Sequence, residues 1–267
     1  MTLTHRDIAD AIETIAPLRL QEEWDNSGFQ LGDPDGEATG VTLCVDLTSD
    51  IIDEAIANGS SMIVTHHPLI FRGVKHIIGN NRTEQLIAKA LRAGITVYSA
   101  HTSIDNAVGG VSWAIAEALG LTDIATLVPQ RGSSPDGPGL GVVGNLPETL
   151  TLEQFVSLVK ERLGSPVVRC SDPSKAPTTF ITRVALCGGS ATEFLPDAIK
   201  AGAQVYLVSD SKLNYFLDYR DRIILADIGH YESEAVTKQI FYHILNGKFP
   251  NFALYLSSVE DNPIKYL

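Results

Sequence analysis

Cysteine is scarce. There are three in 267 residues, Cys44, Cys170 and Cys187, and no two form a Cys-x-x-Cys pair. This argues against a thiolate zinc site and fits a reducing cytosol. Cys44 and Cys187 sit in apolar runs and read as small buried hydrophobes. No apolar stretch reaches the roughly 18 residues that a membrane-spanning helix requires. The opening residues, Met1-Thr2-Leu3-Thr4-His5-Arg6-Asp7, lack the basic-then-apolar layout of a secretion signal. No Gly-x-x-x-x-Gly-Lys loop is present to cradle a nucleotide phosphate. Positive charge is short: Lys and Arg number 20 against 32 Asp and Glu, a net charge of −12. Such a balance repels nucleic acid and anionic lipid unless a local patch reverses it. The expectation is a cytoplasmic protein without a membrane partner, and with a nucleic-acid partner only if a local basic surface hides in the average.

What is present suits an ordinary globular chain with a real core: 44% hydrophobic and 19% charged residues. The first helix is signalled by Thr4 as cap, Asp7 three residues on, and Ile8, Ala11, Ile12 and Ile15 at helical spacing. A polar loop, 22–35, follows. Residues 41–47 read as a strand, 49–58 as a helix capped by Ser49 and stopped by Gly59, and 61–65 as a buried strand. A strand–helix–strand unit implies parallel pairing with a right-handed crossover. The pattern recurs with a helix over 84–92, Gly94 and a strand over 95–100, then with a helix over 194–200, Gly202 and a strand over 204–208. A further strand covers 222–228. Whether this is a true internal repeat or the look of any strand–helix alternation stays open. Residues 129–147, rich in Gly and Pro, read as a loop with at most a short strand at 140–143. Residues 151–163 form an amphipathic helix capped by Thr151. The expected fold class is α/β and two-lobed, with mostly parallel or mixed sheets flanked by helices. One lobe comprises 1–125 and 221–267, and 126–220 forms a second lobe inserted into it.

The histidines sharpen this picture. His66 and His67 follow the second strand, His101 the third, and His230 the last, with Asp210 after the strand before it. Ligands of open α/β sheets bind beyond the carboxyl ends of the strands, so these side chains point to one shared site. His101 and Asp105, like His230 and Glu234, stand four residues apart and share a face on a helical turn. Neighbouring side chains leaving a strand diverge, so the adjacent His66 and His67 suit two ions better than one. The metal set is therefore His66, His67, Asp105, His230 and Glu234, with His101 a sixth member to which a catalytic role is assigned. Imidazole and carboxylate without thiolate suit zinc, manganese, iron or nickel. Two divalent ions could share a water and lower its pKa toward about 7. His5, His76 and His243 read as surface or core residues, Glu232 as solvated, and Asp46 and Asp210, which also follow apolar strands, as turn or cap residues with a place in the cleft as the alternative. Asp25-Asn26-Ser27-Gly28 reads as a plain turn, packed down by Trp24 and Phe29.

Taken together, Trp24-Asp25-Asn26-Ser27-Gly28-Phe29-Gln30-Leu31-Gly32, Thr65-His66-His67-Pro68-Leu69-Ile70-Phe71, His101-Thr102-Ser103-Ile104-Asp105 and Gly229-His230-Tyr231-Glu232-Ser233-Glu234 resemble the GTP cyclohydrolase 1 type 2 homologue family, also called NIF-three-like proteins. The resemblance implies a dinuclear site between two α/β lobes, one ion on His67, Asp105 and Glu234, the other on His66, His230 and Glu234. It implies a toroidal homohexamer and, at this length, the short form without a large inserted domain. One departure stands out: where the family often carries a histidine after the strand at 204–208, this chain has Asn214 and Tyr215.

Two functions follow as expectations. The first is a dinuclear metal-dependent hydrolase, with a metal-bridging hydroxide attacking a small nucleotide-like or phosphoester substrate. The family name implies opening of the purine ring of GTP, a preference that the residues themselves do not select. The second is a non-catalytic metal-binding scaffold or regulatory interaction protein, as the family's other name suggests.

Overall fold

The computed structural model describes residues 2–267, and two compact units divide the chain. The first comprises residues up to Ile104 together with Thr237–Asp261; the second comprises Asp105–Val236 and Asn262–Leu267. The boundaries expected from sequence, 125/126 and 220/221, differ from these. Residues 122–129 and 224–227 are strands of the second unit's sheet, and that pairing carries their flanking segments with them.

In chain order, the elements begin with helix α1 (His5–Glu13), strands β1 (Gly28–Leu31) and β2 (Val41–Cys44), helix α2 (Ser49–Asn58) and strand β3 (Met62–Thr65). Helix α3 (Arg82–Arg92), strand β4 (Thr96–Ser99) and the single turn α4 (Thr102–Asp105) follow. The second unit continues with α5 (Val111–Ala118), β5 (Thr122–Pro129), β6 (Gly139–Thr151), α6 (Leu152–Leu163), β7 (Arg169–Cys170) and β8 (Phe180–Ser190). Helix α7 (Leu195–Lys200), β9 (Val205–Ser209), α8 (Leu213–Asp218), β10 (Ile224–Asp227) and the short α9 (His230–Glu234) complete its main run. Helix α10 (Thr237–Lys248) and β11 (Leu254–Leu256) return to the first unit.

The first sheet has the order β1-β4-β3-β2-β11, parallel except for β1 at one edge. Helices α2 and α3 lay Ile51, Ile52, Ala55, Leu86, Ile87 and Ala90 against Ile63 and Val97 of the strands. Both helices are held at their starts by side-chain caps: Thr48 accepts from the Ile51 amide, and Asn81 from that of Glu84. The cap of α2 is thus Thr48 rather than Ser49. Gly59, Gly94 and Gly202 all take left-handed backbone after their helices (φ 71°, 69° and 76°), the conformation in which a side chain is strained.

The second sheet is mixed, in the order β5-β6-β8-β9-β10-β7, with β8, β9 and β10 parallel and the rest antiparallel. Its core joins Ala185, Cys187, Leu195, Tyr206, Val208 and Leu225. Of the expected loop over 129–147, residues 130–138 are loop, but the short strand expected at 140–143 extends into β6, at 13 residues. Gly139, Gly141 and Gly144, which suggested a loop, serve close backbone approach instead. A Cβ on Gly139 would collide with the Val128 carbonyl of the paired strand. Helix α6 bears a capping box, in which Thr151 and Gln154 exchange side-chain-to-backbone hydrogen bonds, and buries Phe155 completely. No helix among the described residues is long and apolar enough to cross a membrane.

Truncating Phe155 to alanine removes a fully buried ring from this close-packed layer. The expected cost is about 3–5 kcal/mol of unfolding free energy, measurable by denaturant titration.

Candidate functional site

In the first unit, register places the candidate histidines. Cys44 of β2 pairs with Thr65 of β3, and Thr65 with Ser99 of β4. Three neighbouring parallel strands therefore stop at one level. The residues after them, Asp46, His66 with His67, and His101, leave the same carboxyl edge. Ligand-capable atoms of His66, His67 and His101 lie within 4.8 Å of one another.

Each ring is also held from behind. His66, fully buried, has Nδ1 3.1 Å from the Ala100 carbonyl oxygen. His67 Nδ1 lies 3.2 Å from Asp46 Oδ1, and His101 Nδ1 lies 2.7 Å from Asp25 Oδ1. Protein acceptors at one ring nitrogen fix the tautomer and orientation of metal-binding imidazoles and raise their basicity. Asp46 thus orients a histidine, where the sequence suggested only a turn.

The segment Asp25-Asn26-Ser27-Gly28 is likewise more than a turn. Asp25 accepts from His101, from the Thr102 amide and hydroxyl, and from Ser27 Oγ. Asn26 donates through Nδ2 to the Ile70 carbonyl, and the His101 amide donates to Ser27 Oγ. The motif therefore buckles the loop after β3 to the loop after β4. Burial opposes ionisation of Asp25, but the hydrogen bonds from His101 and Thr102 prevail and hold its carboxyl well below the usual carboxylate range. Trp24 does not pack the loop down. It is 60% exposed, with its ring 6.0 Å from those of Phe71 and His101. Phe29 does pack, edge-on against Tyr98.

The second unit repeats the device. Ser190 of β8 pairs with Ser209 of β9, and Val208 with Asp227 of β10, so Asp210 and His230 leave adjacent strand ends. His230 opens α9 and Glu234 closes it; Nε2 of His230 lies 3.0 Å from Glu234 Oε2. Its Nδ1 lies 2.6 Å from Asp210 Oδ2. Asp210 sits at φ 56°, left-handed backbone that is costly for a side-chain-bearing residue. Burial alone would lower the His230 pKa, but Glu234 and then Asp210 outweigh it and raise it to about 9. The sequence placed Asp210 at a strand end near the histidines but favoured a turn or cap role for it, and gave Gly189 no role. A Cβ on Gly189 would stand 2.5 Å from Glu234 Oε1, so only glycine admits the carboxylate against β8.

Asp105, the last residue of α4, belongs to the second unit. Burial first, then the charge of Asp105 and, more weakly, that of Glu234, push the Cys187 thiol up, which sets both carboxylates within electrostatic reach of that buried sulfur. The candidates thus fall into two sets: His66, His67 and His101 in one unit, Asp105, His230 and Glu234 in the other. The remaining histidines divide as expected between core and surface. His5 is buried between the Asp33 carbonyl and Ser61 Oγ; His76 is exposed; His243 bonds the Gln239 carbonyl within its own helix. Glu232 accepts from Asn262 Nδ2. Asn214 is exposed on α8, and Tyr215 packs against the second core.

Two mixed α/β units whose strand ends present imidazoles backed by carboxylates define the class: an α/β protein with metal-capable histidine clusters. The chain belongs to the Duf34/NIF3 (NGG1p interacting factor 3) family, whose profile matches residues 3–263. It is similar to the "GTP cyclohydrolase 1 type 2 homolog" of Lactococcus lactis, with 33% identity over 256 residues, 94% of this chain and 95% of that one. The protein of the same name from Clostridium acetobutylicum is 32% identical over 236 residues, covering 88% and 86% of the two chains. The crystal structure of the Staphylococcus aureus protein SA1388 superposes with a TM-score of 0.89 at 27% identity, covering 100% of both chains.

Two outcomes are expected here. Asp25→Asn lowers the thermal unfolding midpoint at pH 7. Because the carboxyl pKa is depressed in the folded state, its contribution is present above about pH 4 and fades as pH falls below that, so the gap to wild type narrows in acid. Gly189→Ala displaces the Glu234 carboxylate, the main group that raises the His230 pKa, so the imidazole titrates lower, while the midpoint falls only as far as about 1–2 kcal/mol of backbone strain dictates; NMR titration of the histidine and calorimetry separate the two effects.

Proposed function

We propose that the protein is a dinuclear metal-dependent hydrolase acting on a small nucleotide-like or phosphoester substrate. The observation that carries this reading is the gathering of His66, His67 and His101 with one nitrogen of each ring turned onto a protein acceptor. A core histidine needs a hydrogen bond; three such rings clustered at one strand edge suit a cation. The donor set fits the metal. It is imidazole and carboxylate, without thiolate, which favours zinc, manganese, iron or nickel.

In this reading His67, Asp105 and Glu234 would hold one ion, and His66, His230 and Glu234 the other. The ions would supply a water acidified toward about pKa 7 and positive charge to offset the negative charge that develops during hydrolysis. The chain's own residues then do the rest. Asp25, ionised, accepts a hydrogen bond from His101 Nδ1–H, which leaves the other ring nitrogen as the basic one. His101 is thereby a general acid–base, positioned to pass a proton between the nucleophile and the leaving group. Asp46 and Asp210 do for His67 and His230 what Asp25 does for His101: they hold the rings on target.

GTP as substrate is supported by the printed name of the relatives. A cytoplasmic setting is supported by the three free cysteines, two of them buried. A toroidal homohexamer is supported by the family resemblance. The description of the family as an interacting factor favours one other reading, a metal-supported scaffold that binds a regulatory partner without turnover.

The test is purification with metals retained, elemental analysis, and a panel of nucleotides and phosphoesters. About two ions per chain and a hydrolysed substrate are expected. His67→Ala and Glu234→Ala should abolish both turnover and full loading, and Asp210→Ala should weaken metal binding about 10- to 100-fold. Full loading without turnover across the panel would favour the scaffold.

A further inference from the structure

Beside the histidine cluster of the first unit, the loop between His67 and α3 encloses an open cavity of about 450 Å³. Phe71, Arg72, Lys75, His76, Asn81 and Thr83 contribute to its lining. Arg72, Lys75 and His76 are exposed, and none of them forms a hydrogen bond or ion pair with another described residue. On a chain of net charge −12, two permanent cations and an imidazole around one hollow form a local reversal of sign. The single acid in the lining is already spoken for. Glu84 accepts from the Ile78 and Asn80 amides and from Asn81 Nδ2.

The start of α3, an 11-residue helix, faces the same hollow through Asn81 and Thr83. Asn81 caps the Glu84 amide through its side chain and the Gln85 amide through its carbonyl, while the Arg82 and Thr83 amides meet no acceptor among the described residues. Unmet amides and the positive end of a helix dipole add to the attraction for an anion. Cavity, unpaired cations and open amides converge on one chemistry.

Phe71 ties this hollow to the candidate catalytic edge. It lines the cavity, and its ring lies 6.3 Å from that of His101 and 6.0 Å from that of Trp24. Phe71 and Trp24 are exposed at 46% and 60%, a pair of neighbouring apolar rings that both lie near His101.

We propose that the cavity around Arg72, Lys75 and His76 is an anion subsite that takes the phosphate group of a small phosphorylated substrate whose other end reaches the histidine cluster. Arg72 would meet two phosphate oxygens as a fork, Lys75 would act as a point charge, and His76 and Thr83 would donate single hydrogen bonds. The identity of the far end rests on the hydrolase reading; the phosphate site itself does not.

The experiment is calorimetric titration of inorganic pyrophosphate into the full chain after chelator treatment, so that no metal contributes. Wild type is expected to bind. Arg72→Ala/Lys75→Ala should weaken binding at least about tenfold, Arg72→Lys, which keeps the charge but loses the fork, should fall between wild type and the double variant, and His67→Ala should leave it unchanged. A nucleoside triphosphate should show the same loss in the double variant, and the bare nucleoside none. The double variant should still load metal as wild type does, which also shows that it folds. Absence of pyrophosphate binding to wild type, equal affinity in the double variant, or loss of binding in His67→Ala would each overturn the subsite. If instead His67→Ala loads metal normally while the double variant loses pyrophosphate, the metal assignment fails and the anion site stands.

Discussion

Strands β2, β3 and β4 are parallel and stop in register, and the functional reading depends on that alignment. Parallel pairing forces each connection to run back along the sheet, so residues some twenty or more apart in sequence re-emerge at the same edge. Whatever side chain follows each strand is then presented beside its neighbours. Here those side chains are Asp46, His66, His67 and His101, and the second sheet does the same with Asp210 and His230. No long-range design is needed to gather them beyond the register itself.

Gathering is not enough for chemistry, because an imidazole free to rotate offers no defined nitrogen. The carboxylates supply that definition. Asp25, Asp46 and Asp210 come from three different places in the chain, yet each meets the Nδ1 of a histidine that leaves a strand end. Asp25 does the most, since the same carboxylate also binds Thr102 and Ser27 and so fixes a loop together with a ring. Within each unit the fold and the candidate chemistry are therefore coupled: side chains that orient the histidines also close the loops around them.

Much of this was legible in the sequence, and the limits were physical. Helices with caps and helical periodicity were readable, as were the glycines that end them and the histidines that follow buried strands. The capping partner of α2 was misread by one residue because Thr48 and Ser49 are both good caps; only geometry selects between them. The extent of strand β6 beyond 140–143 was hidden because Gly139, Gly141 and Gly144 carry a loop composition, whereas in the sheet they allow backbones to approach. The edge strands β1 and β11 are short and leave little periodicity to detect. Asp210 stands at a readable strand end, but the rings that Asp25, Asp46 and Asp210 orient and the need for glycine at 189 could not be read. A carboxylate that orients a ring 20, 21 or 76 residues away leaves no local pattern. An unusual pairing of acid count with histidines at strand ends was the sole available hint.

The left-handed backbone at Asp210 has a consequence of its own. Glycine would sit there without strain, so the fold by itself prefers a residue that lacks the carboxylate His230 requires. The two demands pull in opposite directions at a single Cα. Thermostabilisation campaigns that relax such positions would select against the group that orients the imidazole, and a more heat-resistant variant would emerge with a looser grip on its ring.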